Sequence, residues 1–387
     1  MATLGFVFSS AFIGVPPRLR LSPLRCPPRG RDSRLGAALR RRCGPPRLLL
    51  SPLRCPPRGR DSRLGAALRR LMYVSLAVAL ALVAWAARAE PVYFDVARGS
   101  HPHDVAATPA TGGPVYYTAQ NTGKLGILDP KTGKFEEIPL GRNSAPHGVI
   151  VGPDGAPWIT DGGQNAIVRV DPATHAERVW ALPADAESAN LNTLTFDHKG
   201  RVWFTGQSGY YGRLDPVAGE IKVWKAPRGR GPYGITTTPG GDVYYASLAG
   251  NYIARIDTDT GVASVIEPPT PQQGARRVWS DSRGRIWVSY WNTGQVGMYD
   301  PAAKAWREWK LPGVQPHPYA VWVDDKDKVW LTDWSANAFV RFDPVSEKFE
   351  TFASNRSSAD VRQMLGRAGE AWGAESGNAR LVMVPAR

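Results

Sequence analysis

The sequence predicts an all-β chain: a seven-bladed β-propeller of four-stranded antiparallel blades, with an N-terminal strand closing the last blade. Three observations lead there. An aromatic residue recurs as Tyr116, Trp158, Trp203, Tyr244, Trp287, Trp330 and Trp372, at steps of 42, 45, 41, 43, 43 and 42 residues. An aspartate keeps the same beat as Asp129, Asp171, Asp215, Asp257, Asp300 and Asp343, and five of these six precede proline. Between these markers run short period-2 stretches bounded by Gly, Asn, Asp and Pro, which signal strands joined by tight turns. A four-strand unit of about 40–45 residues is the period of a propeller blade.

The unit is clearest at residues 276–311. Residues 277–279, 285–289, 295–299 and 305–311 read as its four strands. The aromatic anchors the second strand, and the aspartate turns the third into the fourth. The seventh unit has room for only three strands, at 361–365, 370–374 and 379–384. Residues 92–95 (VYFD) resemble the outer strands at 135–138 and 221–224, and are expected to supply the missing one. That pairing would tie the ring shut and cover an exposed edge. The seven anchors, with Trp180, Trp224, Trp306 and Trp309, are expected to pack blade against blade.

Charge is distributed unevenly. The net charge of +14 would suggest a nucleic-acid or membrane partner. Residues 1–89, however, carry 17 Arg, no Lys and two Asp, a net of +15, which leaves 31 basic and 32 acidic residues in 90–387. The propeller is therefore nearly neutral, and no nucleic-acid partner is expected. The segment 21–41 repeats without change as 50–70. Such an Arg/Pro/Gly-rich copy cannot bury an apolar face, so 1–70 reads as a disordered leader from a misplaced start codon.

Residues 71–87 then form an apolar run after Arg69-Arg70, and Ala87-Arg88-Ala89 fits a signal-peptidase site. We read 71–89 as a signal peptide, with a retained membrane anchor as the alternative, and expect a periplasmic or secreted monomer. Cys26, Cys43 and Cys55 all precede residue 90, so disulfides play no part in the propeller.

Propeller ligands sit at the central channel. Counting back eleven residues from each anchor gives the start of each inner strand: His147, Asn192, Tyr233, Arg276, Tyr319 and Val361. In the first blade, whose loop is two residues longer, the count gives His103. Three residues after each anchor stand Ala119, Asp161, Gly206, Ser247, Tyr290, Asp333 and Glu375. Polar groups gathered in a concave mouth are the default site. His101 and His317 fall at its rim, whereas His175 and His198 fall in turns. No HExxH, zinc spacing, P-loop, Gly-x-Ser-x-Gly or EF-hand loop is present.

Several stretches carry a resemblance: Ala145-Pro146-His147-Gly148-Val149, Pro232-Tyr233-Gly234-Ile235, Trp203-Phe204-Thr205 and Trp330-Leu331-Thr332-Asp333-Trp334. They resemble the virginiamycin B lyase (streptogramin lyase) family over roughly residues 91–385. The resemblance implies a propeller that opens a cyclic depsipeptide by elimination across an ester C–O bond, without water. It implies a histidine base and a Mg²⁺ ion held by glutamates. Such a pair suits the chemistry, because His titrates near neutrality and Mg²⁺ polarises carbonyls.

Carried over, the family's sixth-blade histidine falls on Tyr319, its base on Val361, and its two metal glutamates on Ala359 and Glu375. Tyr, Val and Ala cannot fill those roles at neutral pH. A rotated arrangement is therefore expected, with His103, His147 and Glu375 catalytic and Glu375 with Asp161 as metal ligands. Asn192, Tyr233, Arg276, Arg277 and Tyr319 would bind the substrate, a small cyclic ester or lactone. The alternatives are a non-catalytic binding propeller, and a gluconolactonase-like enzyme with Asn192, Glu375 and Asp161 around calcium.

Overall fold

The computed structural model describes residues 90–386, together with Tyr73. The readings of 1–70 as leader and 71–89 as signal peptide otherwise lie outside the described residues. Among the described residues no helix is long and apolar enough to cross a membrane.

Seven four-stranded antiparallel sheets make up the fold. Blades 1 to 6 occupy residues 102–139, 146–181, 191–225, 232–266, 275–310 and 318–353. Blade 7 takes its three inner strands from 361–385 and its outermost from Val92–Asp95. That strand pairs antiparallel with Arg380–Pro385, as expected. Phe94 stacks on Trp372 at 5.4 Å, and Arg380 lies over the Tyr93 ring at 3.9 Å. Each inner strand packs against the inner strands of its two neighbours, and that of blade 7 against that of blade 1. The ring is closed.

All seven anchors are buried in the second strands. The indole N–H groups of three of the five tryptophan anchors reveal a device that periodicity alone did not show. Trp203, Trp287 and Trp330 donate to Asp197, Asp281 and Asp324, the carboxylates six residues earlier. The same carboxylates accept the backbone N–H groups of the turn joining the first and second strands. One buried aspartate thus fixes both the turn and the ring that packs behind it. The beat aspartates cap the outer turns, as in Asp171 accepting from the N–H groups of Ala173 and Thr174.

In every blade the pairing of the first two strands slips by one residue near the start of the inner strand. A bulge leaves the extra residue unpaired and re-aims side chains. Here it lifts two consecutive residues per blade at one end of the channel. A row of hydroxyls locks these bulges together. Thr118, Thr160, Thr205 and Ser289 each accept the N–H of their own blade's bulge and donate to a bulge carbonyl of the next blade.

Candidate functional site

The bulges converge on a polar cluster at the channel mouth. Blade 1 supplies His103 and Asp104, blade 2 His147, and blade 3 Asn192 and Thr193. Blade 4 supplies Tyr233, blade 5 Arg276 and Arg277, and blade 6 Tyr319. Two second bulge positions are glycine for want of space. A Cβ on Gly234 would stand 2.6 Å from Arg277 Cα, and one on Gly148 would stand 2.5 Å from the Asn192 carbonyl oxygen.

The floor is a connected network. His103 Nδ1 lies 2.8 Å from Asp104 Oδ1, and Arg277 Nη2 donates to the same oxygen at 3.3 Å. The other Arg277 terminal nitrogen donates to Thr193 Oγ1, which donates to Asn192 Oδ1 at 2.7 Å. His147 Nδ1 meets the Asn192 carbonyl at 3.1 Å, and Asn192 Nδ2 meets His147 Nε2 at 3.3 Å. The assignment that satisfies both places the His147 proton on Nδ1. The two imidazole rings are 3.9 Å apart. His103, Asp104, His147, Asn192 and Arg277 are all buried.

An aromatic wall stands beside the floor. The hydroxyls of Tyr233 and Tyr319 are bonded to each other, and Arg276 donates to Tyr233 at 3.0 Å. The Arg276 guanidinium lies 3.5 Å from the Tyr319 ring centre, 4.4 Å from Trp291 and 4.8 Å from Tyr233. Trp334 stacks on Tyr319 at 5.3 Å, and Arg362 lies 4.8 Å from the Trp334 ring centre. His317 packs on Trp291, and His101 lies near His103, so both belong to the rim as expected.

Electrostatics follow from this crowding. Burial, then the charges of Arg277 and Arg362, hold His103 well below its ordinary value. Burial does the same to His147, with His103 beside it. Both rings are therefore neutral near pH 7 and can accept a proton. Burial raises Asp104, against the pull of Arg277. Burial also pushes Tyr233 up to about 12, with Tyr319 adding to the rise. In Tyr319 burial acts upward too, but Arg276 and Arg277 outweigh it and bring the phenol below its ordinary value.

Two carboxylates expected here are elsewhere employed. The structure gives Glu375 an ion pair with Arg380, together with hydrogen bonds from Ser354 Oγ at 2.8 Å and Asn378 Nδ2 at 3.2 Å. It is a buried clasp whose charge is spent within blade 7. Asp161 accepts the N–H groups of Ala145, Gly163 and Gln164 and the Ser144 hydroxyl, fastening a loop. Among the described residues the one close set of metal-capable side chains is His103, Asp104 and His147, within 4.8 Å. Asp104 is the functional residue that counting missed. The bulge presents two residues where a regular strand presents one, and the residue after each counted position is the signal.

Blade 7 needs a second correction. Its first turn, between Arg367 and Glu370, is one residue shorter, so its anchor pairs with Leu365, seven residues earlier, rather than eight. Val361 opposes Glu375 as Ala275 opposes Tyr290, and its side chain joins the core between blades. Arg362 takes the channel position instead, and its charge reaches both His101 and His103.

A cavity of about 770 Å³ lies at the opposite end of the channel. It is lined by the far ends of all seven inner strands, including Ile150, Leu194, Phe196, Trp279, Trp322 and Leu365. The Asp281 and Asp324 carboxylates at its edge are held by Trp287 and Trp330. His198, Asp325 and Asp327 also line it, but no connected set of buried titratable groups like that of the polar mouth is found there among the described residues, so the mouth is the better candidate.

A sequence model of the virginiamycin B lyase family matches residues 81–305. The chain belongs to that family. The fold matches virginiamycin B lyase from Staphylococcus aureus with a TM-score of 0.70 at 20% identity, over 77% of this chain and 99% of that one. A catalytically inactive histidine-to-alanine variant of that enzyme with quinupristin matches equally well, at 19% identity and 77% and 99% coverage. A gluconolactonase from Zymomonas mobilis is 39% identical over 84 residues, 21% of this chain and 24% of that enzyme's length.

Set against the family pattern, the one-residue shift in blade 7 moves the base position from Val361 to Arg362. The first metal position moves from Ala359 to Asp360. An arginine stands where a histidine base is expected. The family's magnesium does not fit this mouth. Mg²⁺ demands several oxygen ligands in near-octahedral geometry, whereas Asp360 joins no cluster of three metal-capable side chains among the described residues, both Glu375 oxygens are taken, and Arg380 already supplies the cation. The His103–Asp104–His147 set offers mainly nitrogen, and Asp104 is paired with Arg277. The calcium set Asn192, Glu375 and Asp161 is not assembled either, since each belongs to a different network.

Proposed function

We propose that this propeller is an exported carbon–oxygen lyase that works at the polar mouth with arginines in the electrophilic role its family gives to a metal. The observation that carries the reading is the His103–Asp104–Arg277 chain beside Arg276. Elimination needs a base for the proton α to a carbonyl and a positive group for the oxygen that gains charge. His103 is neutral, Asp104 holds its Nδ1 side, and Nε2 is left as the basic atom. Arg277 fixes Asp104, and Arg276 stands on the aromatic wall as the charge-bearing group. Export rests on the apolar run 71–87 and the Ala87-Arg88-Ala89 site.

The test is turnover of cyclic esters, lactones and β-alkoxy acids by wild type, His103→Ala and His147→Ala. Loss of product in His103→Ala with a retained melting temperature supports the reading. Unchanged turnover in both variants removes these histidines from the mechanism.

A second reading, a non-catalytic binding propeller, is favoured by how completely the floor is packed. His103, His147, Tyr233 and Tyr319 are each at least nine-tenths buried. Ligand binding that is indifferent to a chelator and yields no product decides for it.

A further inference from the structure

The rim carries more positive charge than the fold needs. Arg276 bonds a tyrosine hydroxyl and lies against three rings, with no carboxylate partner. Arg362 donates to Ser376 Oγ at 3.1 Å and lies over Trp334, again with no carboxylate. Both side chains are partly exposed. Deeper in, the Nε groups of Arg276 and Arg277 and the Gln363 Oε1 are buried without a partner. Gln363 occupies the second bulge position of blade 7, and Arg277 that of blade 5. Three such orphans at one channel end leave hydrogen-bonding capacity unspent beside the rim arginines. Arginine suits a carboxylate because its planar fork matches two oxygens. Trp291 and Trp334, edge to face at 5.3 Å and both partly exposed, stand beside these arginines as apolar neighbours for a ring.

We propose that the mouth recognises a sugar acid: a uronate whose carboxylate is held by Arg276, with Arg362 adding positive charge at the rim, and whose ring lies against Trp291 and Trp334. The proposal deepens the lyase reading and rests on it for the chemical step. In a uronate glycoside the carbon bearing the carboxylate also bears the proton that elimination removes. Pairing that carboxylate with arginines acidifies the C–H bond. His103 Nε2 takes the C5 proton, the electron pair forms the C4–C5 double bond, and the C4–O bond breaks. The departing oxygen takes a proton from solvent, and His103 returns its proton to solvent. The products are an unsaturated uronate and an alcohol. No water is consumed and nothing is oxidised.

The experiment uses the full chain with digalacturonate, its dimethyl ester and neutral cellobiose. Binding is followed by calorimetry, and product by the ultraviolet absorbance of the conjugated acid. Digalacturonate should bind, the ester and cellobiose should bind about tenfold more weakly or worse, and Arg276→Met or Arg362→Met should lose a similar factor. Arg276→Lys separates charge from the planar fork and serves if the methionine variant is unstable. Equal binding of acid, ester and cellobiose overturns the proposal, as does undiminished binding in both arginine variants. Acid-specific binding with no product upholds the sugar-acid site while removing the lyase reading. Product from a lactone or neutral ester without uronate binding does the reverse.

Discussion

His103 Nδ1 lies 2.8 Å from the Asp104 carboxylate, a contact between adjacent residues that only a bulged strand can turn into the same channel. Arg277 closes on the same oxygen from blade 5. Replacing Asp104 by Ala should leave an arginine buried without its counter-charge, at a cost of about 3–5 kcal/mol in stability. Asp104→Asn keeps the volume and most hydrogen bonds but lets His103 lose its fixed tautomer. Steady-state kinetics on a β-elimination substrate should then show kcat falling at least about tenfold with KM nearly unchanged. A rise in KM alone would make Asp104 a structural residue.

The buried histidines make the fold acid-sensitive. Both sit well below their ordinary value of 6.5, through burial and through the charges of Arg276, Arg277, Arg362 and His101 around His103. The unfolded chain therefore takes up protons near pH 6.5 that the native chain refuses. Stability is full above that pH and declines as pH falls through it. Melting temperature should drop between pH 8 and pH 5, and the drop should shrink in His147→Asn. A melting temperature that rises on acidification would contradict the burial-driven shift. Turnover should show no inflection near pH 6.5, because the base remains neutral there.

Glu375 is a clasp rather than a ligand. Glu375→Ala leaves Arg380 buried and unpaired, for an expected loss of about 3–5 kcal/mol. Glu375→Gln keeps the volume and one accepting oxygen, which can serve Asn378 and Arg380, and should cost less. Neither variant should change ligand affinity at the mouth. Isothermal titration of the glutamine variant checks this: a tenfold weaker affinity for divalent metal would restore Glu375 to the site.

Ring closure depends on residues 92–95. The strand's pairing with Arg380–Pro385 carries the Phe94 ring onto Trp372. Phe94 is only partly buried, so Phe94→Ala should cost about 2 kcal/mol, at the lower side of core truncations. Removing 90–97 should destabilise every blade at once. Limited proteolysis in which the truncated ring resists as well as the intact one would refute the latch.

The fold was legible because periodicity carries it. Each blade must bury an aromatic at the same place, so Trp287 and Trp330 repeat at a step that any reader can count. The latch was legible because blade 7 lacks a strand that residues 92–95 can supply. The mouth was half legible. His103, His147, Asn192, Tyr233, Arg276, Arg277 and Tyr319 do meet at one channel end. Asp104 escaped because two-residue bulges break the alternation that strand counting assumes. Val361 was misplaced because a shortened turn moves the register by one, which leaves no mark in the spacing of the anchors. Glu375 and Asp161 were drawn to the mouth by their place three residues after an anchor, but their side chains are spent on other partners. Their hydrogen-bond partners, Arg380 and the loop amides near Ala145, become neighbours only in three dimensions.

The sharpest measurement is product formation in the presence of a chelator, comparing wild type with His103→Ala. Chelator-resistant release of an unsaturated acid that disappears in the variant is the expected result. Product that requires added Mg²⁺ and survives the loss of His103 would contradict an arginine-and-histidine mouth.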